Sequence, residues 1–459
     1  MRFDNIRELI LEVLVRAEEQ SAYLNILIPS YFNNYHLKKE DKALLHEIVY
    51  GVTRFRKKLD WIIRQSLTRK GKKLPTDINN ILRIGIYQIF YLDKIPDYAI
   101  VNESVNLTKK SKNCKYSNLV NAILRKIIRG TSNVYWPDIN QQPAIYVSIY
   151  YSFPEWLIRR WIRRYGLDLC INICQIMNKK PGITIRINSL RINMPDFQHR
   201  LSGLKIQFKE GKYLPSESLI LESFVDFSES TLFKSGLFSV QDESSSLASR
   251  LLNPLPGDLI IDMCSGPGGK TTHLAQLMKN QGQIIAFEKN KTRLEMVQDE
   301  SRRLGINIIK CLLKDSTLFC GDFFEKADKI LVDAPCSGTG VIRKKPDLKW
   351  KNINNRQLQK TTELQEKILN VAARYLKPGG ELVYSTCSME KEENDSLIKK
   401  FLNKHKEFAI QDTSSFVKEY GVIKYNTEIE QSIQLLPGFS GENVDGFYMV
   451  KLKKCVSGQ

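Results

Sequence analysis

The chain has 459 residues, is 42% hydrophobic and carries a formal net charge of +19. Its length predicts about three domains of ~150 residues each, and no run approaches the ~20 uninterrupted apolar residues that cross a bilayer. Nine cysteines are scattered singly with no C-x-x-C pair and the five histidines do not cluster, so neither a disulfide framework nor a metal site is expected. The start, MRFDNIRELILEVLVRAEEQ, mixes acids into a helical period, unlike a secretory signal or an acid-poor transit peptide. A cytoplasmic protein without membrane association is the expectation.

Residues 1–140 read as helical throughout. IRELILEVLVRA sets Ile6, Ile10 and Leu14 on one face, and DKALLHEIVYGVTRF, PTDINNILRIGIYQIFYL and NLVNAILRKIIRG repeat the period between polar or Gly/Pro breaks. The positive excess is concentrated toward this end. Residues 54–73, RFRKKLDWIIRQSLTRKGKK, hold nine basic residues and one acid. On a basic chain that density predicts a polyanion partner, nucleic acid first, over a merely solvated helix face. The turn-rich GTSNVYWPDINQQP is a linker.

Residues 141–235 read as a linker helix and a small α+β unit. PEWLIRRWIRRYG is a short basic helix with Pro154 at its start. GITIRINSL and GLKIQFKEG suggest short strands, and Cys170 and Cys174 in LDLCINICQIM read as core thiols one helical turn apart.

Residues 236–455 alternate strands and helices. DLIIDMC, QIIAFEK, INIIKCLL, KILVDAP and ELVYSTC are apolar runs of strand length. Between them lie KTRLEMVQDESRRLG and QLQKTTELQEKILNVAARYL, the latter with Leu364, Ile368, Val371 and Tyr375 on one face. Apolar strands with helical crossovers predict a parallel, doubly wound sheet. Ligands bind such sheets beyond the carboxyl ends of the strands, where Cys264, Glu288, Asp315, Asp333, Cys336 and Cys387 all fall.

The first strand runs into a Gly-rich turn, Cys264, Ser265, Gly266, Pro267, Gly268, Gly269 and Lys270. A Walker A loop needs glycine where Cys264 stands, and the glycine spacing is not G-x-G-x-x-G. The remaining reading is a turn that lets a nucleoside without phosphate approach the strand end. Glu288, after the next strand, suits a ribose diol, or is an ordinary acid at a helix N-terminus. Asp315 suits an adenine amino group. S-adenosylmethionine has a ribose, an adenine and no phosphate, so a methyltransferase is the leading idea.

Asp333 and Cys336 in DAPCSGTG and Cys387 in STCSMEKEEND then fall into place as chemistry. A thiolate adding to C6 of cytosine makes C5 nucleophilic enough to take a methyl group. Asp333, protonated or sharing a proton, would bind N3 and the exocyclic amine. SMEKEEND reads as a solvated helix whose N-terminus lowers the pKa of Cys387. A buried, inert thiol is the alternative for either cysteine alone.

These motifs, DAPCSGTGVIRKKPDLKW, YSTCSMEKEEND and CSGPGGKTT, resemble those of the RNA cytosine-C5 methyltransferases of the Sun/RsmB group. Residues 1–140 resemble a NusB-like helical RNA-binding domain, 141–235 contain a small RRM-like subdomain, and 236–455 resemble a Rossmann-like class I methyltransferase domain. LPGFSGENVDGFYMVKLKK resembles the closing segment. The resemblance implies Cys387 as the attacking nucleophile and Cys336 as the thiol that assists product release. It implies residues 264–270, Glu288, Asp315 and Asp333 as the cofactor positions, Asp333 also lying near the base. It further implies 16S rRNA as the partner, and a monomer is expected. Ser265-Gly266 and Glu288 depart from the group, which more often has two alanines and an aspartate there. The rival readings are a tRNA cytosine-C5 methyltransferase, an inactive RNA-binding or antitermination factor, and a nucleotide hydrolase.

Overall fold

A computed structural model describes residues 5–20, 22–35, 37–67, 73–130, 134–222, 230–351 and 354–456. The chain divides into two compact units, one formed by Met1–Lys179 with Ile342–Lys351, the other by Lys180–Val341 with Asn352–Gln459.

The first unit is helical. Its helices include Ile6–Glu19, Lys39–Ser66, Thr76–Tyr91, Asp97–Lys110, Ser117–Arg129, Pro143–Tyr150, Glu155–Tyr165 and Leu167–Asn178. The amphipathic periods from Ile6–Glu19 to Ser117–Arg129 close on a shared core made mostly of Leu, Ile and Val side chains. Thr76–Tyr91 is buried nearly all round, Ile78 to Gln88 included. Its one charge there, Arg83, is matched by Asp60 at 2.7 Å and Glu18 at 2.7 Å, so no buried charge stands alone. Cys170 and Cys174 are both core thiols, as the spacing predicts.

The basic stretch from Arg54 is not a solvated face over its first residues. Arg54 Nη2 donates to the Arg343 carbonyl at 3.0 Å, Arg56 pairs with Glu18, and Lys57 Nζ donates to Ser148 Oγ at 2.5 Å. Lys58 Nζ lies 4.5 Å from the Tyr150 ring centre. Burial holds all four below their ordinary pKa values. Their stems serve as packing surface while the heads find oxygen or π partners. Residues 68–72 of that stretch and 131–133 of the expected linker lie outside the described residues.

The second unit holds two sheets. β1 (Ile183–Ile187), β2 (Phe208–Glu210), β3 (Ser218–Leu221) and β4 (Phe238–Val240) form an antiparallel sheet in the order β2-β3-β1-β4. Among the described residues, eight strands form the larger sheet: β5 (Leu259–Asp262), β6 (Gln283–Glu288), β7 (Ile309–Leu313), β8 (Ala327–Asp333), β9 (Leu376–Thr386), β10 (Phe408–Ile410), β11 (Ile433–Leu435) and β12 (Phe447–Lys454). Their order is β10-β12-β9-β8-β5-β6-β7, with β11 also paired to β12. Strands β9 to β7 are parallel, as expected; β10, β11 and β12 add antiparallel pairings that the apolar runs do not announce. The order reverses between β5 and β8, and a ligand crevice belongs at that reversal.

Candidate active site

β5 ends in Asp262, whose carboxylate accepts from Thr271 Oγ1 at 2.7 Å and from the Cys264 amide at 3.2 Å. It thereby closes the Gly-rich turn on itself. Burial pushes the Asp262 carboxyl up to about 6 against these two donors. Gly268 has φ +115°, open to glycine and strained for any other residue, and caps the helix Gly269–Leu277. The Ser265 amide and hydroxyl both donate to the Phe287 carbonyl, at 2.9 and 3.0 Å, holding the turn beside β6.

Glu288 ends β6, is 6% exposed, and accepts from the Asn290 amide at 2.9 Å. Arg293 Nε stands 3.6 Å from its Oε2 and the Arg293 guanidinium donates to the Gly266 carbonyl. A Cβ on residue 266 would lie 2.4 Å from Glu288 Oε2. The two sequence departures thus share one space: the missing methyl at 266 leaves room for the longer acid at 288. Asp315 follows β7, and its Oδ1 accepts from the Thr317 amide at 2.9 Å and hydroxyl at 2.7 Å. The amide first, then the hydroxyl, hold its carboxyl below the usual range.

Lys270 leaves the turn for the neighbouring strand end. Its Nζ donates to Asp333 Oδ2 at 2.7 Å, while Ser385 Oγ donates to Oδ1 at 3.0 Å. An ammonium and a hydroxyl therefore hold one oxygen each of the Asp333 carboxylate. Cross-strand register sets Asp333 opposite Ser385.

The two thiols meet. Cys336, after β8, and Cys387, after β9, have their sulfurs 3.3 Å apart. The hydrogen bond to Cys387, then burial, holds the Cys336 thiol well above its ordinary range. The Gly340 amide donates to the Cys387 carbonyl at 2.9 Å, and the Gly446 amide to the Gly340 carbonyl at 2.8 Å, so three loops converge.

SMEKEEND is not a solvated helix. The helix begins only at Asp395, and Ser388, Met389, Glu390, Glu393, Asn394 and Asp395 are buried. Asp395 accepts from the Glu428 amide at 2.7 Å, and Glu393 accepts from Ser337 and Ser388. Donors from distant loops, invisible in a local charge pattern, take these acids out of water. The expected helix N-terminus at Cys387 is therefore absent. Sequence reasoning also missed Arg186 on β1. Burial pushes its guanidinium down to about 9, and its Nη2 reaches Thr272 Oγ1 at 3.3 Å and the Gly269 carbonyl at 3.4 Å. The small sheet thus braces the helix that starts at the Gly-rich turn.

Residues 249–453 match the family model described as 16S rRNA methyltransferase RsmB/F. Residues 4–129 match the NusB family, and 153–228 the ferredoxin-like domain of RsmF/B-like methyltransferases. The probable ribosomal RNA small subunit methyltransferase B of Bacillus subtilis (strain 168) is 33% identical over 99% of this chain and 100% of its own. The ribosomal RNA small subunit methyltransferase B of Escherichia coli O6:K15:H31 is 31% identical over 98% and 99%. Among solved structures, that of PH0851 matches with a TM-score of 0.81 at 27% identity, over 99% of this chain and 100% of that one. A methyltransferase homologue from Pyrococcus horikoshii matches with a TM-score of 0.58 at 29% identity, over 68% and 99%.

Proposed function

We propose that this chain, which belongs to the RsmB/F family of 16S rRNA methyltransferases, methylates C5 of one cytosine in 16S rRNA through a transient Cys387–C6 bond. The observation that carries the reading is the 3.3 Å approach of the Cys336 and Cys387 sulfurs beside the Asp333–Lys270 pair. S-adenosylmethionine, the co-substrate, supplies an electrophilic methyl group. The buried Glu288 at the end of β6 suits a ribose diol, with Cys264 to Gly269 as the turn beside it and Asp315 for the adenine amine.

The residues divide the reaction between them. Asp333 accepts from the exocyclic amine, and Lys270 puts positive charge beside the ring as it gains electrons. Cys387 adds to C6 as the thiolate; C5 then takes the methyl group as its bond to the sulfonium sulfur breaks and S-adenosylhomocysteine is left, a base takes the C5 proton, and the C6–S bond breaks to return the thiolate. The 3.3 Å contact of Cys336 with Cys387 supports its role, a second thiol at the adduct sulfur that assists release. With a base to extrude from its stack, a cost of a few kcal/mol is met most easily in a loop or unpaired strand.

For the RNA backbone, the helical unit offers Lys109, Lys110, Lys112, Lys115, Arg125, Lys126 and Arg129, all exposed. No acid interrupts residues 104–137. We take 1–140 as the RNA-binding module, 141–235 as the linker and small unit, and 236–455 as the methyltransferase module, acting as a monomer. A tRNA substrate is disfavoured by the match to a 16S rRNA family, and an inactive factor by the intact thiol pair.

Bisulfite sequencing of 16S rRNA with and without the gene is expected to show one cytosine that loses protection. Absence of any such position sinks the C5 reading. Cys336→Ala is expected to accumulate a covalent protein–RNA adduct on a denaturing gel, and Cys387→Ala to form none.

A further inference from the structure

We propose that Glu393 is a positioning residue that ties the loop of Cys336 to the loop of Cys387, so that both thiols reach one substrate ring. This rests on the reading of the two thiols as the reacting pair. The side chain is fully buried, at 0% exposure. Its Oε1 accepts from the Ser337 amide at 2.8 Å and from Gln365 Nε2 at 3.3 Å. Its Oε2 accepts from Ser337 Oγ at 2.5 Å and from Ser388 Oγ.

Ser337 follows Cys336, and Ser388 follows Cys387. One carboxylate therefore grips the residue next to each thiol. Gln365 Nε2 also donates to the Pro335 carbonyl at 2.9 Å, which fixes the Cys336 loop from its other side. Tyr384 Oη donates to the Glu393 carbonyl at 2.7 Å and anchors the clamp to β9. Burial raises the Glu393 carboxyl above its usual range, so the site is held against a desolvation penalty. An apolar side chain of the same volume would avoid that penalty. What it would not supply is an acceptor for donors from both loops.

Oxidation by diamide reads the juxtaposition without RNA. Two thiols become one Cys336–Cys387 disulfide, and the N=N bond of diamide takes up the two electrons and two protons. In the full-length wild type this disulfide is expected to form rapidly, to be reversed by dithiothreitol, and to be identified by peptide mass spectrometry. Glu393→Ala is expected to slow it by about tenfold or more, the scale of lost hydrogen bonds to a charged group. S-adenosylmethionine affinity, measured by equilibrium dialysis, should stay within about twofold, because that site shares no partner with Glu393. Glu393→Gln is expected to recover most of the rate, since the serine hydroxyls can rotate to accept from the amide. Ser388→Ala removes one donor, gives an intermediate rate, and carries the test should Glu393→Ala not fold.

A wild-type disulfide rate in Glu393→Ala, or in Ser388→Ala if that variant alone folds, overturns the proposal. So does a loss of S-adenosylmethionine affinity that parallels the loss of disulfide, because it marks general damage. Failure of the cytosine-C5 reading looks different: rates follow the expected order, yet the wild type methylates no cytosine.

Discussion

At the scale of residues, the cofactor turn depends on matched sizes. The 2.4 Å approach between a Cβ at 266 and Glu288 Oε2 means that Gly266→Ala must turn the acid or push Arg293. S-adenosylmethionine binding is expected to weaken about tenfold, or ~1.4 kcal/mol. Gly266→Ala with Glu288→Asp should recover it, because the shorter acid vacates the space. Calorimetric titration of both variants checks this; equal weakening in the two would remove the size argument. The same logic explains why Lys270 is better understood from its partner than from its loop. It sits where a phosphate-binding lysine would, yet its Nζ meets Asp333 at 2.7 Å.

At the scale of elements, Asp262 and Asp333 fasten the ends of β5 and β8 through partners on other elements. Asp262 fastens β5 to the Gly-rich helix and titrates near 6 in the folded chain, against an ordinary value of 3.8. The folded state therefore holds this proton more tightly than the unfolded chain. Its contribution is full below about pH 4 and is lost as pH rises through 6, a swing of roughly 3 kcal/mol. Asp262→Asn is expected to remove that part of the stability profile between pH 4 and 7, measured by urea unfolding at each pH. An unchanged profile would show that another group sets it. In the helical unit the corresponding fastening is Lys349. Its Nζ donates to the Arg54 and Ser152 carbonyls, each at 3.1 Å, and to Asn178 Oδ1 at 2.8 Å. Burial holds it well below its ordinary pKa. Lys349→Met keeps the volume and strands three acceptors, so a loss of about 2–3 kcal/mol is expected in urea unfolding.

At the scale of the whole molecule, residues 342–351 belong to the first unit, and a deletion of the proposed RNA-binding module 1–140 disturbs them as well. Deleting residues 1–140 would strip Arg54 and its neighbours from around Lys349, so lost activity would not report RNA binding alone. Charge reversal on the exposed cations avoids this. Glu at Lys109, Lys115, Arg125 and Arg129 together is expected to weaken 16S rRNA binding and to flatten its salt dependence by about 0.7–0.9 per lost phosphate contact. Filter binding across a salt series checks both, and an unchanged slope would move the RNA surface elsewhere. No helix among the described residues is long and apolar enough to cross a membrane.

Periodicity and strand-length apolar runs determined the helices of the first unit and the five parallel strands, because burial of a face or a strand leaves its spacing in the residues. Motif spacing determined which strand ends carry the cysteines and acids. Tertiary structure alone decided what those groups touch. The run from Arg54 reads as a polyanion-binding stretch, yet Arg54 to Lys58 turn out packed, while the exposed cations of residues 109–129 are spread over two helices and the turn between them. EKEEND likewise reads as a hydrated helix start, yet Glu393 is buried under donors from Ser337 and Ser388. A local pattern records charge and hydrophobicity. Whether a charge meets water or a partner fifty residues away depends on which loops the sheet brings together.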